Sequence, residues 1–419
     1  MKIKVKKMKA VLALLISLFT FSDDVFSKEK LLPNTLLEIK VIKNWQPVKN
    51  FQKFQEYSKK TPMKNFLEKK NKEWRCFERI KDVNPYPKDD NSHWAWFTCQ
   101  NYLHYAGTNN PQIIGDILLS WASAKKDPMI AKKTTKAIGY NVSGYDIPST
   151  IGTFVQFYAV WYNEINYTKQ ERDLVNTYLK QKLFDQKFKV LNHGTRKCKI
   201  KKLKSIYSKN TGTNNCGNIR MKVAVGEIML GFRLEDQKLL DKGHEDMYVV
   251  QAFINKDGIN INHASRGANT VNYSWEYTGY SSILAEVYLP VGYDYFEHTL
   301  PRGAKVKDYL KFNYRLLKNF KLTAKWAKYN VGSMSNPYKK ISKLTQAEYL
   351  QTEYAENVYS FEHGDKEFIK SHPRFTKKYM PKVYSNFSEE EIKKFYKSRE
   401  GQISANKGVS SYGLYYGNN

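Results

Sequence analysis

Apolar residues recur at helical spacing along most of this chain. Asn110-Pro111 reads as a helix start, with Asn at the N-cap and Pro at the first helical position. Ile113, Ile114, Ile117, Leu118 and Trp121 follow as one stripe of period about 3.6. Thr150 to Trp161 is apolar and aromatic-rich, with Phe154, Phe157, Tyr158 and Trp161. Thr168 and Glu171 are spaced as a capping box, and Leu174, Val175, Tyr178 and Leu179 mark the buried face of the helix it opens. Val223 to Phe232 reads as another helix. Ser388 and Glu391 form a second capping box, opening a short helix to about Arg399. Strand alternation is scarce and there is no strict repeat. Helix, short connection, helix is the recurring unit, which predicts an all-α fold of stacked helical hairpins in one large domain, residues 28–400. Residues 28–90 are the least readable. Gly401 to Asn419, rich in Gly, Ser, Tyr and Asn, is expected to be a flexible tail.

The first residues depart from this pattern. Lys2, Lys4, Lys6, Lys7 and Lys9 precede an apolar run from Ala10 to Phe21, and Ser22, Asp23 and Asp24 follow at once. A basic start, a short apolar core and small residues at its end describe a secretory signal peptide, residues 1–27. The run is shorter than the roughly 20 residues a comfortable span needs. No later stretch is long and apolar enough to insert, so the mature chain is expected in the periplasm or outside the cell, without stable membrane insertion. An oxidising compartment suits four cysteines. Sequence order suggests Cys76 with Cys99 and Cys198 with Cys216, although four cysteines allow three pairings.

Charge then narrows the partner. Removing Met1 to Ser27, which holds five Lys and two Asp, takes the formal charge from +29 to +26. A field of that sign attracts polyanions. Export turns attention from nucleic acid to uronate polysaccharides and other acidic cell-surface polymers. An aromatic content of 15 %, with 31 Tyr and 8 Trp, favours sugar handling, because such rings offer an apolar face and, in Tyr and Trp, a polar tip. Between Arg196 and Lys209 lie seven basic residues and no acidic one: Arg196, Lys197, Lys199, Lys201, Lys202, Lys204 and Lys209. Flanked by Cys198 and Cys216, this loop reads either as a lid over an anionic substrate or as a solvated surface loop. His193 precedes it.

Two segments carry candidate chemistry. Thr213 to Asn218 includes Asn214, Asn215 and Cys216 at the mouth of a helix. Asp257-Gly258 reads as a turn. His263 and Arg266 follow, then a helix bearing Asn269, Tyr273, Tyr277 and Tyr280 within a stripe roughly 80° wide. A core stripe of tyrosines is the plain alternative. Cleaving a uronate polymer by β-elimination needs what these residues offer. The carboxylate must be neutralised so that charge can spread onto it when the C5 proton leaves, a task for Asn, Arg or protonated His. A base takes that proton and an acid supplies the leaving oxygen; Tyr can do either. No cofactor or metal is needed, and there is no CxxC, HExxH or glycine-rich phosphate loop.

From about Trp94 to Tyr288 the chain resembles the alginate lyase family of polysaccharide lyases, which have an (α/α) toroid fold. Asn214-Asn215 matches that family's Asn-Asn-His motif at a helix start. Gly258, Asn262, Arg266, Tyr273 and Ile283-Leu284-Ala285 match its second motif, some fifty residues later. Asp257-Gly258, His263 and Tyr277-Thr278-Gly279-Tyr280 echo the related hyaluronate and chondroitin lyases, whose large C-terminal β-sandwich domains do not fit in this length. The family His is Cys216 here. The resemblance implies a toroid or incomplete barrel acting on an alginate- or glucuronan-like polymer. It implies that Asn215 and Arg266 neutralise the carboxylate, and that His263 is the base or a second neutraliser. It makes Tyr273 the first choice for the acid, or the combined acid and base, ahead of Tyr277 and Tyr280. Asn214, Lys199, Lys201, Lys202 and Trp275 then bind substrate. Two rivals stand beside this reading: a toroid glycoside hydrolase, for which Glu276 and Asp146 are the conceivable carboxylates, and a non-catalytic binder of acidic polysaccharide.

Overall fold

The computed structural model describes residues 31–32, 35–59, 72, 75–81, 92–125, 142–184, 217–264, 270–319, 321–322, 364–397 and 414–415. Among them the regular structure is helical, apart from two isolated antiparallel bridges, Ile254 with Asn260 and Thr299 with Lys305. The helices are α1 (Phe51–Lys59), α2 (Cys76–Lys81), α3 (Ser92–Asn109), α4 (Gln112–Ser123), α5 (Val142–Val160), α6 (Lys169–Phe184), α7 (Asn218–Arg233), α8 (Gln237–Gln251), α9 (Ile261–Ala264), α10 (Thr270–Val287), α11 (Val306–Lys318), α12 (Gly364–Ser371), α13 (Pro373–Tyr379), α14 (Pro381–Tyr384) and α15 (Glu389–Lys397).

Local chemistry sets several boundaries. The Thr168 and Glu171 side chains cap each other's backbone N–H at 3.2 and 2.8 Å, and Ser388 with Glu391 repeats the device at 3.2 and 2.8 Å. Before α4, the Asn110 side chain accepts the Gln112 N–H at 3.2 Å, with Pro111 between them. Of the stripe that follows, Ile114, Ile117, Leu118 and Trp121 are buried and Ile113 is half-buried. In α6, Val175, Tyr178 and Leu179 are buried, but Leu174 is 41 % exposed, because it lies one position off that face. Cys76 and Cys99 form a disulfide that ties α2 to α3. The second expected pair, Cys198 and Cys216, lies outside the described residues, as do the signal segment and the basic loop.

Helices both adjacent and distant in sequence pack side by side. Contacts join α3 to α5, α5 to α7, α7 to α10 and α10 to α11, while α4 packs on α6 in a second row. The first row runs parallel, as the order of its contacts shows. Gln100 of α3 donates to Thr150 of α5, and His104 meets Phe157 further along. Ser149 of α5 accepts from Lys222 of α7, and Ala159 accepts from Arg233. Asn218 of α7 bonds Glu276 of α10, and Phe232 meets Tyr288. Ser274 and Thr278 of α10 meet Tyr309 and Asn313 of α11. The N-termini of these helices therefore gather at one end of the row. Close approach of α5 and α7 depends on glycine: a Cβ on Gly152 would stand 2.8 Å from the Lys222 carbonyl oxygen.

A large core holds the rows together, with Phe154, Phe157, Tyr158 and Trp161 of the aromatic segment inside it. Trp45 pins the N-terminal segment to this core, stacked on Phe232 and donating to the Val287 carbonyl at 3.0 Å. A small second cluster joins Ile369, Ile392 and Tyr415. The tail from Gly401 is thus not loose at the two positions described, since Leu414 and Tyr415 are buried. They are apolar enough to pack where composition alone suggests looseness.

The Asp257-Gly258 turn forms as expected. Gly258 has φ 76°, and the Asn255 side chain accepts the N–H groups of Asp257 and Ile259 at 3.1 and 2.9 Å. A Cβ at Gly258 would lie 2.8 Å from the Asp308 carbonyl carbon. Gly258→Ala is expected to cost about 2 kcal/mol, from a left-handed φ and a backbone clash together. Denaturant unfolding would show the loss as a lower midpoint, and an unchanged midpoint would rule it out.

Candidate functional site

Asn218, the last residue of the first candidate segment, meets the start of α10 at the N-terminal end of the helix row. Asn218 opens α7 just after the Asn214-Asn215 segment, and Tyr273 lies in the first turn of α10. Glu276, three residues beyond Tyr273, clasps the two helices. Its Oε2 accepts from Asn218 Nδ2 at 2.9 Å, and its Oε1 pairs with Lys222 Nζ at 2.9 Å. Lys222 also donates to Ser149 Oγ at 3.1 Å, which brings α5 into the same network. A buried lysine is tolerated when its charge is paired and its protons are used, and both hold here. Sequence reasoning begins this helix at Val223 and so misses Lys222. The available signal is a lone cation inside the run Met221, Val223, Ala224, Val225.

His263 sits in the one-turn helix α9, after the Asp257-Gly258 turn. Its N–H bonds the Asn260 carbonyl at 3.1 Å and its residue is buried. The imidazole ring lies 5.8 Å from the Tyr273 ring and 5.8 Å from the Tyr277 ring. The three candidate phenols differ sharply in setting. Tyr273 is half-buried. Tyr277 is buried edge-on against Tyr309, at 4.9 Å. Burial pushes its hydroxyl well above the usual tyrosine range, with Tyr295 and Tyr309 adding to the effect. Tyr280 is fully buried. For Tyr277 and Tyr280 the stripe is thus a core stripe, since their ring area is worth more inside than at the surface. Trp275 is also buried, against Phe368 and His372, rather than on a sugar-facing surface. Asn214, Asn215, Cys216, Arg266, Lys199, Lys201, Lys202 and His193 lie outside the described residues. Among the hydrolase carboxylates, Glu276 is engaged by Lys222 and Asn218, and Asp146 lies on α5.

Away from this end, a second group of titratable residues is structural. The His244 ring is 5.9 Å from Tyr288, His298 stacks on Tyr295, and His298 Nδ1 shares a 2.9 Å hydrogen bond with the Tyr293 hydroxyl. Burial pulls both histidines down to about 4, with Asp241 opposing the shift at His244. Their folded values lie below the unfolded value of about 6.5, so the unfolded chain binds more protons in between. Stability is then full above about pH 6.5 and falls as pH drops toward 4. Each histidine can account for up to about 3 kcal/mol of that fall. Denaturant midpoints are expected to drop between neutral pH and pH 5, and less steeply in His298→Gln; an equal slope in that variant would exclude His298 as a cause.

Among the described residues no helix is long and apolar enough to cross a membrane. No family model and no curated protein matches the chain. Among solved structures it is similar to alginate lyase A1-III from Sphingomonas species A1, at 16 % identity and a TM-score of 0.45, over 77 % of this chain and 76 % of that one. It is also similar to a variant of alginate lyase A1-III complexed with tetrasaccharide, at 16 % identity and a TM-score of 0.41. There the match takes in 57 % of this chain and spans 64 % of the other, under two thirds of its length.

Proposed function

We propose that this protein is an exported polysaccharide lyase that cleaves a uronate-containing acidic polysaccharide, alginate- or glucuronan-like, by β-elimination. The observation that supports the reading is the contact between Asn218 and Lys222 of α7 and Glu276 of α10. The Glu276 clasp holds the mouth of α7, next to Asn214-Asn215, against the first turn of α10, which presents Tyr273 beside His263. The parallel row also gathers helix N-termini at that end, where partial positive charge favours a carboxylate. We read the row as part of an (α/α) toroid, with the polymer crossing its N-terminal end.

In this mechanism Asn215 and Arg266 hold the substrate carboxylate and stabilise charge that develops on it. The base, Tyr273 as phenolate or His263, takes the proton from C5. The electron pair left behind forms the C4–C5 double bond as the C4–O bond breaks, and the Tyr273 hydroxyl protonates the leaving oxygen. The half-buried setting of Tyr273 suits this work, whereas Tyr277 is sealed in the core with its proton held. The basic segment 196–209 supplies further attraction for the polyanion.

The test is to incubate purified protein with alginate, glucuronan, hyaluronan, chondroitin and pectate while following the ultraviolet absorbance of the conjugated double bond. A rise with one of these polymers is expected. New reducing ends without absorbance would replace the reading with hydrolysis, and binding without either signal would replace it with a non-catalytic role.

A further inference from the structure

Helix α11 touches both the turn that leads to His263 and the helix that carries Tyr273. The turn comes first. Gly258 precedes His263 in sequence and lies against the backbone of α11. A Cβ there would stand 2.8 Å from the Asp308 carbonyl carbon and 2.9 Å from the Tyr309 nitrogen. The start of α11 is itself fixed. The Asp308 side chain accepts the Lys305 N–H at 2.9 Å, and the Val306 N–H bonds the His298 carbonyl at 3.1 Å.

The second contact falls on the first turns of α10. The carbonyl of Ser274, the residue after Tyr273, accepts two side-chain hydroxyls. One is Thr278 Oγ1 at 2.6 Å; the other is Tyr309 Oη of α11 at 3.2 Å. One turn further along α11, Asn313 Nδ2 donates to Thr278 Oγ1 at 2.7 Å. Ser274, Thr278, Tyr309 and Asn313 are all buried. A hydroxyl that bonds four residues back tends to bend a helix, and the Tyr309 hydroxyl ties that point of α10 to α11. The Tyr309 ring also meets Tyr277 edge-on at 4.9 Å, and the Tyr277 ring lies 5.8 Å from that of His263. This engagement is particular to Tyr309. The Tyr288 hydroxyl, at the other end of α10, is buried with no hydrogen-bond partner among the described residues.

We propose that Tyr309 is a positioning residue of the candidate site. With its hydroxyl on the Ser274 carbonyl and its backbone against Gly258, it sets how the Tyr273 ring stands beside His263. Its part in a reaction rests on the β-elimination proposed above; the joint between α10 and α11 does not. Proton transfer depends on close, well-oriented donor and acceptor. A hydroxyl that never touches substrate can therefore alter turnover and leave binding alone.

The test follows imidazole NMR signals of the full chain with isotope-labelled histidine, identified with His263→Gln and His104→Gln. Tyr309→Phe and Thr278→Val are each expected to shift or broaden the His263 signal and leave that of His104, on α3, in place. Thr278→Ser keeps the hydroxyl and sheds a methyl, and Tyr288→Phe removes an unbonded hydroxyl; both are expected to leave the two signals unmoved. The Val and Ser variants separate hydrogen bond from packing, and they stay informative if Tyr309→Phe fails to fold. An unmoved His263 signal in Tyr309→Phe and Thr278→Val, or an equal shift in Tyr288→Phe, would overturn the proposal. On a polymer that the parent cleaves, Tyr309→Phe is expected to lose roughly tenfold in kcat at unchanged KM; a parent-like kcat would overturn the positioning role. A His263 shift in a protein that gives no ultraviolet signal with any polymer would retire the lyase reading and leave the joint standing.

Discussion

Tyr273→Phe is expected to lower the rate of double-bond formation by roughly 10²–10⁴-fold while leaving polymer affinity nearly unchanged. The substitution removes one oxygen from a half-buried ring and keeps its packing beside His263. If Tyr273 supplies the proton to the leaving oxygen, the loss falls on turnover and not on binding. Tyr277→Phe is the control on the same helix. Its hydroxyl is buried without a hydrogen-bond partner among the described residues, so removing it relieves a desolvation cost, and stability is expected to hold or rise. Equal activity in Tyr273→Phe and the parent would remove Tyr273 from the chemistry. A large rate loss confined to Tyr277→Phe would move the acid one turn along the helix.

Lys222→Met is expected to destabilise the fold by about 3 kcal/mol. The lysine side chain is 3 % exposed and its Glu276 partner 16 %. Removing the cation takes the ion pair from a mostly enclosed carboxylate, and the residual exposure keeps the loss at the lower end of the range for such pairs. Adding Glu276→Gln to Lys222→Met is expected to recover much of the loss, because the enclosed charge then disappears. Chemical unfolding of the four proteins would give the coupling directly. Additive effects would show that the two residues do not act as a pair. If the proposed β-elimination is the activity, the same single variant is expected to lower it, since the clasp that joins α7 to α10 is cut.

The sequence makes the helices legible where local chemistry decides them. Thr168 with Glu171 and Ser388 with Glu391 cap as their spacing predicts, and the α4 stripe points inward because its period matches the helix. Sequence order also picks out the Cys76–Cys99 pair. What it leaves hidden depends on neighbours. A stripe of tyrosines is equally compatible with a core and a cleft; the burial of Tyr277, against Tyr309, and of Tyr280 separates them from Tyr273. Trp275 looks like a sugar platform until Phe368 and His372, nearly a hundred residues away, cover it. Lys222 falls just outside the helix read from Val223, and its partners lie on two other helices. The parallel order of the row is likewise invisible locally, since it arises from contacts between hairpins and not within them.

The small cluster of Ile369, Ile392 and Tyr415 bears on the order in which the molecule matures. Arg374, which grips the buried Glu286 through both carboxylate oxygens, also lies 5.0 Å over the Tyr415 ring. A ribosome delivers residue 415 after every helix of the main row, so this corner lacks its closing piece while those helices are already made. Until then Ile369 and Ile392 lack one of the partners that bury them.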